Sequence, residues 1–184
     1  AGELDAYYLL RQLQYSCLIL AHRSVYKQNY QLSLIDHIVP LLKDGAMLNI
    51  PAVAVYHNCY QMLSAETDTE FYHRFRRLLV EHAELFPKEE LRDLLLIAIN
   101  YAVRQVNSGN QSYYEEINKL YKLGLSSDSL LDEGRLSRFT YQNIVIAALR
   151  TQDFEWAEDF LYQYRSALGR TYREAAFSYG KAQI

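Results

Sequence analysis

The sequence predicts an all-α fold built from about four antiparallel helical hairpins stacked side by side. Three observations carry this. Apolar residues recur at three- and four-residue steps along nearly the whole chain, and no strand pattern of period two survives. The 184 residues include only 7 Gly and 3 Pro, too few for a β fold that turns every ten residues or so. Equivalent positions recur with a period of about 42 residues.

The elements follow in order. From Leu4 to about Ala21, Leu9, Leu10, Leu13, Cys17, Leu18 and Leu20 mark a first helix. Tyr26, Tyr30, Leu34, Ile38 and Leu41 mark a second, ending at Lys43-Asp44-Gly45, where glycine suits a C-terminal cap. Asn49-Ile50-Pro51 opens a third helix, to about Ser64, with proline where its missing N–H costs nothing. Thr67-Asp68-Thr69-Glu70 reads as a capping box opening a fourth, to about Leu85. Phe86-Pro87-Lys88 breaks the chain and restarts it as a fifth helix to about Val106. The turn Asn107-Ser108-Gly109-Asn110 precedes a second box, Ser112-Tyr113-Tyr114-Glu115, and a sixth helix ending near Gly124. Residues 126–136 form the longest loop. Helix seven covers Arg138–Arg150 and helix eight Phe154–Leu168, with Thr151-Gln152-Asp153 between them. A third box, Thr171-Tyr172-Arg173-Glu174, starts a ninth.

The repeat gives these helices their relation. Phe71, Tyr113 and Trp156 lie 42 and 43 residues apart near the starts of even-numbered helices. The same offsets relate Phe75, Ile117 and Phe160, then Leu79, Tyr121 and Tyr164, and, on odd-numbered helices, Asn58, Asn100 and Asn143. A step of 41 carries Tyr30, Leu34 and Ile38 onto Phe71, Phe75 and Leu79. A hairpin cannot bury its apolar face alone, so neighbours complete the core. The units are approximately 3–44, 49–86, 88–125 and 137–169, with a fifth beginning at 171–184, in a single helical-repeat domain expected to belong to a longer repeat protein.

Residues 143–168, NIVIAALRTQDFEWAEDFLYQYRSAL, resemble a tetratricopeptide repeat. Ile144 takes the place of its large apolar residue, Asp153-Phe154 its turn and following aromatic, Ala157 the small residue of its second helix, and Leu161 the apolar partner. Val145 and Tyr164 replace small residues, no proline closes the unit, and the period exceeds the usual ~34. The resemblance implies a right-handed α-solenoid, a tetratricopeptide-like superhelix. It also implies a non-catalytic scaffold binding a peptide or partner protein on its concave face. That face is lined by the first helix of each hairpin. Asn143 falls where such repeats often carry a ligand-contacting Asn.

Composition narrows the function classes. Formal net charge is −3, from 19 basic and 22 acidic residues, which gives no general attraction for nucleic acid or anionic lipid. No apolar run approaches the ~20 residues of a membrane span. Cys17 and Cys59 form no disulfide framework and read as buried thiols, although equivalent positions in successive repeats leave one disulfide open. The compartment is not set by the sequence, with the cytoplasm slightly favoured.

No catalytic residue, cofactor or metal ligand is nominated. The five His (22, 37, 57, 73, 82) lack HExxH spacing, and no GxSxG or Gly-rich phosphate loop occurs. His73-Arg74-Phe75-Arg76-Arg77 reads as a solvated face paired with Glu70 or Glu81, or as a dock for an acidic partner. Asp153, Glu155, Glu158 and Asp159 suit the dipole at the start of helix eight.

The candidate binding residues are Asn58, Asn100, Asn143, Tyr56 and Tyr60. An Asn amide donates and accepts at once, so a ladder of them can clamp an extended backbone; the alternative is that each bonds a carbonyl of a neighbouring helix or loop. Tyr pairs four apart (26/30, 56/60) or seven apart (8/15, 114/121, 172/179) are first packing signals, with a surplus available for a binding surface. Other readings are a catalytic or small-ligand-binding helical domain with a pocket between helices, nucleic-acid-binding repeats, which the charge disfavours, and self-association through the repeat ends.

Overall fold

The computed structural model describes residues 2–26, 35–65 and 69–184, and they are all-α. They divide into two compact units, Ala1–Phe86 and Pro87–Ile184, meeting at the Phe86-Pro87 break.

The first unit holds α1 (Gly2–Tyr26), α2 (Ile35–Ile38), α3 (Pro51–Ser64) and α4 (Thr69–Glu81). α1 runs one turn past the expected end at Ala21, because Ala21–Tyr26 contains no Gly or Pro and Arg23 favours the C-terminal dipole. Of the expected second helix, Tyr30 and Leu34 lie outside the described residues. The remainder is α2 followed by a 3₁₀ stretch, Val39–Asp44. Pro40 sits in the first turn of that stretch and removes a helical N–H. Gly45 closes it in the left-handed region (φ 76°), its N–H donating to the Leu42 carbonyl, so the cap is where glycine was expected.

α1 packs on α3, and α3 on α4. The buried face of α1 is Leu13, Ser16 and Cys17; α3 contributes Val53, Tyr56, Cys59 and Met62, and α4 Tyr72, Phe75 and Leu79. Both cysteines are free and buried. The Cys17 thiol donates to the Tyr56 carbonyl at 3.4 Å. Burial, with Cys59 adding to it, holds the Cys17 thiol well above its usual range, so it packs as a small neutral hydrophobe. The Thr67-Asp68-Thr69-Glu70 box lies partly outside the described residues. α4 ends at Glu81 and tightens into a 3₁₀ turn, Ala83–Leu85, before Pro87.

The second unit holds α5 (Lys88–Asn107), α6 (Tyr113–Ser126), α7 (Arg138–Arg150), α8 (Phe154–Gln163) and α9 (Arg170–Lys181). Each packs on the next in the pairs α5–α6, α6–α7, α7–α8 and α8–α9, and α7 also touches α9. The α5–α6 and α7–α8 pairs span the residues expected for the third and fourth units. Phe75, Ile117 and Phe160, the mid-helix residues related by the sequence offsets, are 0%, 4% and 2% exposed. α7 matches the expected Arg138–Arg150. α8 is shorter than expected, giving way after Gln163 to a 3₁₀ turn at Arg165–Ala167.

Two expected capping boxes do not form. Ser112 is itself helical (φ −61°, ψ −22°), and its hydroxyl donates to Asn110 Oδ1 at 2.6 Å. The N–H groups of Tyr113, Tyr114 and Glu115 already reach the carbonyls of Asn110, Gln111 and Ser112. α9 starts at Arg170, one residue before Thr171; the Tyr172 and Arg173 N–H groups donate to the Gly169 carbonyl, and Glu174 pairs instead with Arg165 at 2.5 Å. The cap that does form is Ser137, whose hydroxyl accepts from Thr140 N–H at 3.0 Å. Ser137→Ala is expected to lower stability by about 1 kcal/mol in urea unfolding, and Ser137→Asp to restore most of it.

Gly124 does not end α6, which continues to Ser126. It is a contact point: a Cβ there would sit 2.5 Å from the Leu130 side chain and 3.2 Å from Leu95. The following loop therefore folds back onto α6, with Leu130 and Leu136 buried. The loop is closed by paired backbone bonds between Asp132 and Arg135, and Leu136 N–H donates to the Ala167 carbonyl.

Candidate binding surface

α7 buries Tyr141, Ile144, Val145, Ala147 and Ala148 and so leaves one stripe outward. That stripe is Phe139, Asn143, Ile146 and Arg150, spaced four, three and four residues apart and therefore on one face. Phe139 is 72% exposed and Ile146 39%, large values for apolar residues on a helix packed by three neighbours. The equivalent positions of α5 carry Asn100, Val103 (38% exposed) and Asn107.

The surface continues onto α9. The Arg138 guanidinium lies over the rings of both Phe139 (5.8 Å) and Tyr172 (5.3 Å), linking the starts of α7 and α9 by cation–π contact. Tyr172 and Tyr179 are about half exposed and two turns apart. Between the helices, Gln142 and Val145 of α7 and Ala176, Tyr179 and Gly180 of α9 line a narrow crevice. The result is an aromatic rim, an aliphatic centre and amides.

The sequence-nominated residues fall unevenly on this surface. Asn100 and Asn143 are exposed on the outward faces of α5 and α7. Burial pushes the Tyr121 phenol up to about 12, and the nearby Asn143 amide pulls it the other way. Asn58 is half-buried, and its amide donates to the Ala54 carbonyl one turn earlier in its own helix at 2.8 Å, not to a neighbouring helix or loop. Tyr56 is buried, its ring edge-on to Phe86 at 6.2 Å, so it is a core residue and not a surface one. Tyr60 is half-buried. Tyr8, Tyr15, Tyr172 and Tyr179 are exposed, whereas Tyr121 is buried; seven-residue spacing does not separate the two classes.

Sequence reasoning missed Phe139 and Ile146 as surface groups. Their helical spacing with Asn143 was readable, but which face α7 turns outward depends on its neighbours.

A second polar site lies where α6 meets the α7–α8 turn. Glu115, Asn118, Lys119, Lys122, Thr151, Gln152 and Asp153 line an open cleft of about 340 Å³. The Asn118 amide, on a residue only 6% exposed, donates to Thr151 Oγ1 and Asp153 Oδ2, both at 3.0 Å. Lys122 Nζ is 2.5 Å from Asp153 Oδ2 and 4.6 Å from the centre of the Trp156 ring. The Lys122 and Asn118 hydrogen bonds hold the Asp153 carboxyl below its usual range. The Thr151 hydroxyl accepts from Asn118 and lies within hydrogen-bond reach of the Ala147 and Ala148 carbonyls, at 3.1 and 3.0 Å. Lys119 is near both Glu115 (3.8 Å) and Glu116 (3.9 Å). The cleft is a clasp between hairpins whose charges answer one another. Asp153 therefore does more than suit the helix dipole.

In the basic cluster Phe75 is buried, His73, Arg74 and Arg77 are exposed, Arg76 is half-buried, and Arg74 pairs with Glu70 one turn earlier. His57 shares a hydrogen bond with Gln61 at 3.3 Å, and burial lowers its pKa. Among the described residues no three His, Cys, Asp or Glu side chains are grouped to hold a metal ion. No helix among them is long and apolar enough to cross a membrane. No protein-family model matches the chain, and neither a curated protein nor a solved structure does.

Proposed function

We propose that the chain is a right-handed, tetratricopeptide-like α-solenoid serving as a non-catalytic scaffold, and that it binds an extended peptide segment of a partner protein along α7 and α9. The observation that carries this is the exposed row Phe139, Asn143 and Ile146 beside Tyr172. Exposed aromatic and aliphatic side chains take apolar anchors, and the Asn143 amide between them suits a peptide backbone group. Asn100 and Val103 on α5 repeat the same amide-plus-aliphatic pair.

The test is direct. Peptides selected from a displayed random library on the immobilised chain are measured by fluorescence anisotropy against wild type and a Phe139→Ala, Asn143→Ala variant. The expected result is at least a tenfold loss of affinity, about 1.4 kcal/mol, with an unchanged thermal melt. Failure to select any peptide, or selected peptides that bind the variant as well as wild type, would refute this reading.

A further inference from the structure

The outward face of α1 carries a pattern of its own. Opposite the buried residues Leu13, Ser16 and Cys17, the helix presents Leu4, Tyr8, Arg11, Tyr15 and Leu18, in steps of four, three, four and three residues. Leu4, Tyr8, Tyr15 and Leu18 are 59%, 60%, 57% and 59% exposed, and Tyr7 beside them is 54% exposed. At roughly 200 Å² per aromatic side chain, these five residues place about 500 Å² of largely apolar surface in one stripe. That equals the largest patch a lone domain carries, generally a functional one. With the stems of Arg11 and Gln14 it approaches the ~800 Å² per partner of a standard interface.

Two features of the stripe identify what covers it. First, its residue types read the same in both directions about Arg11: leucine, tyrosine, arginine, tyrosine, leucine. A second α1 laid antiparallel sets Leu4 opposite Leu18 and Tyr8 opposite Tyr15, twice, as a two-fold axis requires. Second, the ends of α1 are oppositely charged, with Glu3 and Asp5 in the first turn and Arg23 in the last. Antiparallel pairing brings each acidic end to the other copy's basic end, and the helix dipoles oppose favourably. Parallel pairing would set like charges together. The two Arg11 side chains, near the axis, are turned along their own helices: each donates to Gln14 Oε1 at 3.1 Å and lies over its own Tyr7 ring at 5.9 Å.

We propose that α1 is a homodimerisation helix, pairing antiparallel with α1 of a second copy through Leu4, Tyr8, Tyr15 and Leu18. This surface belongs to the first unit and does not depend on the peptide-binding reading of α7 and α9.

Sedimentation velocity of the 184-residue chain, from low to several hundred micromolar, is expected to show a monomer–dimer equilibrium. Tyr8→Glu with Tyr15→Glu is expected to weaken it at least a hundredfold while far-UV circular dichroism and the thermal melt stay as in wild type. Should that variant misfold, Leu18→Lys alone supplies the comparison. Orientation is read by mixing Leu4→Cys and Leu18→Cys chains with a short bis-maleimide, the two native thiols being buried. A cross-link between the two different variants supports antiparallel pairing; one between two Leu4→Cys chains overturns it. A chain that stays monomeric throughout, or a folded variant that dimerises like wild type, overturns the proposal.

Discussion

Phe160→Ala is expected to lower stability by about 3–5 kcal/mol, the largest loss of any single truncation considered for this chain. Phe160 is 2% exposed and stands at the centre of four rings. Tyr141 lies 4.9 Å away, Trp156 5.6 Å and Tyr164 5.1 Å, the last two nearly parallel to it. Truncation removes the buried ring, leaves a cavity and deletes three aromatic contacts at once. The cavity cannot easily collapse, because Tyr141 is fixed by its own hydroxyl, which donates to the Leu161 carbonyl at 3.1 Å. Since domains are stable by only about 5–15 kcal/mol, the variant should show a clearly lowered urea midpoint and a weakened near-ultraviolet signal. Trp156→Ala is expected to cost less than half as much, because that ring is only half-buried. Equal losses for the two would contradict the packing order derived from the structure.

That contrast marks how far sequence reasoning reached. Phe75, Ile117 and Phe160 were identified as equivalent core positions from their spacing alone, and all three are buried. Each lies away from its helix ends, on the face turned to the helix it packs against. The first-turn set, Phe71, Tyr113 and Trp156, shares the same offsets but not the same burial: Tyr113 is 5% exposed and the other two are half-buried. At helix ends, exposure is decided by the adjoining turn.

Local hydrogen bonding was less legible for a related reason. Ser112 and Thr171 stand in capping-box spacing, yet the Glu115 N–H that the first box would have served donates to the Ser112 backbone carbonyl, and α9 already starts at Arg170, ahead of Thr171. Ser137, without Glu or Gln three residues on, caps α7. Competition between side-chain and backbone acceptors is settled by turn geometry that residue identity alone does not encode. The binding surface was half legible. The amide positions Asn100 and Asn143 come from the repeat, but Phe139 and Ile146 look like core residues until the neighbours of α7 are known. Asn118 was not legible, since its partners Thr151 and Asp153 lie 33 and 35 residues away.

The Asn118 clasp yields the second large effect, and it depends on pH. Asp153→Ala removes one of the two acceptors of a buried amide and the partner of Lys122, and is expected to cost about 1–3 kcal/mol at neutral pH. The Lys122 hydrogen bond, then that of Asn118, lowers the Asp153 pKa in the folded chain. The folded state therefore binds this proton less readily than the unfolded chain, whose carboxyl titrates near 3.9. The resulting stabilisation is complete above that value and is lost as pH falls through the lower, folded one. The gap between wild type and Asp153→Ala in urea unfolding should accordingly be full at neutral pH and narrow in strong acid. Side chains of Lys122 and Asp153 are 38% and 31% exposed, so added salt should trim the charge-dependent part without abolishing the Asn118 bond. Lys122→Met tests the division: it should remove most of the pH dependence, keep part of the stem's contact with Trp156, and cost less than Asp153→Ala. A gap between wild type and Asp153→Ala that is the same at every pH would show that the carboxylate charge contributes nothing to the clasp.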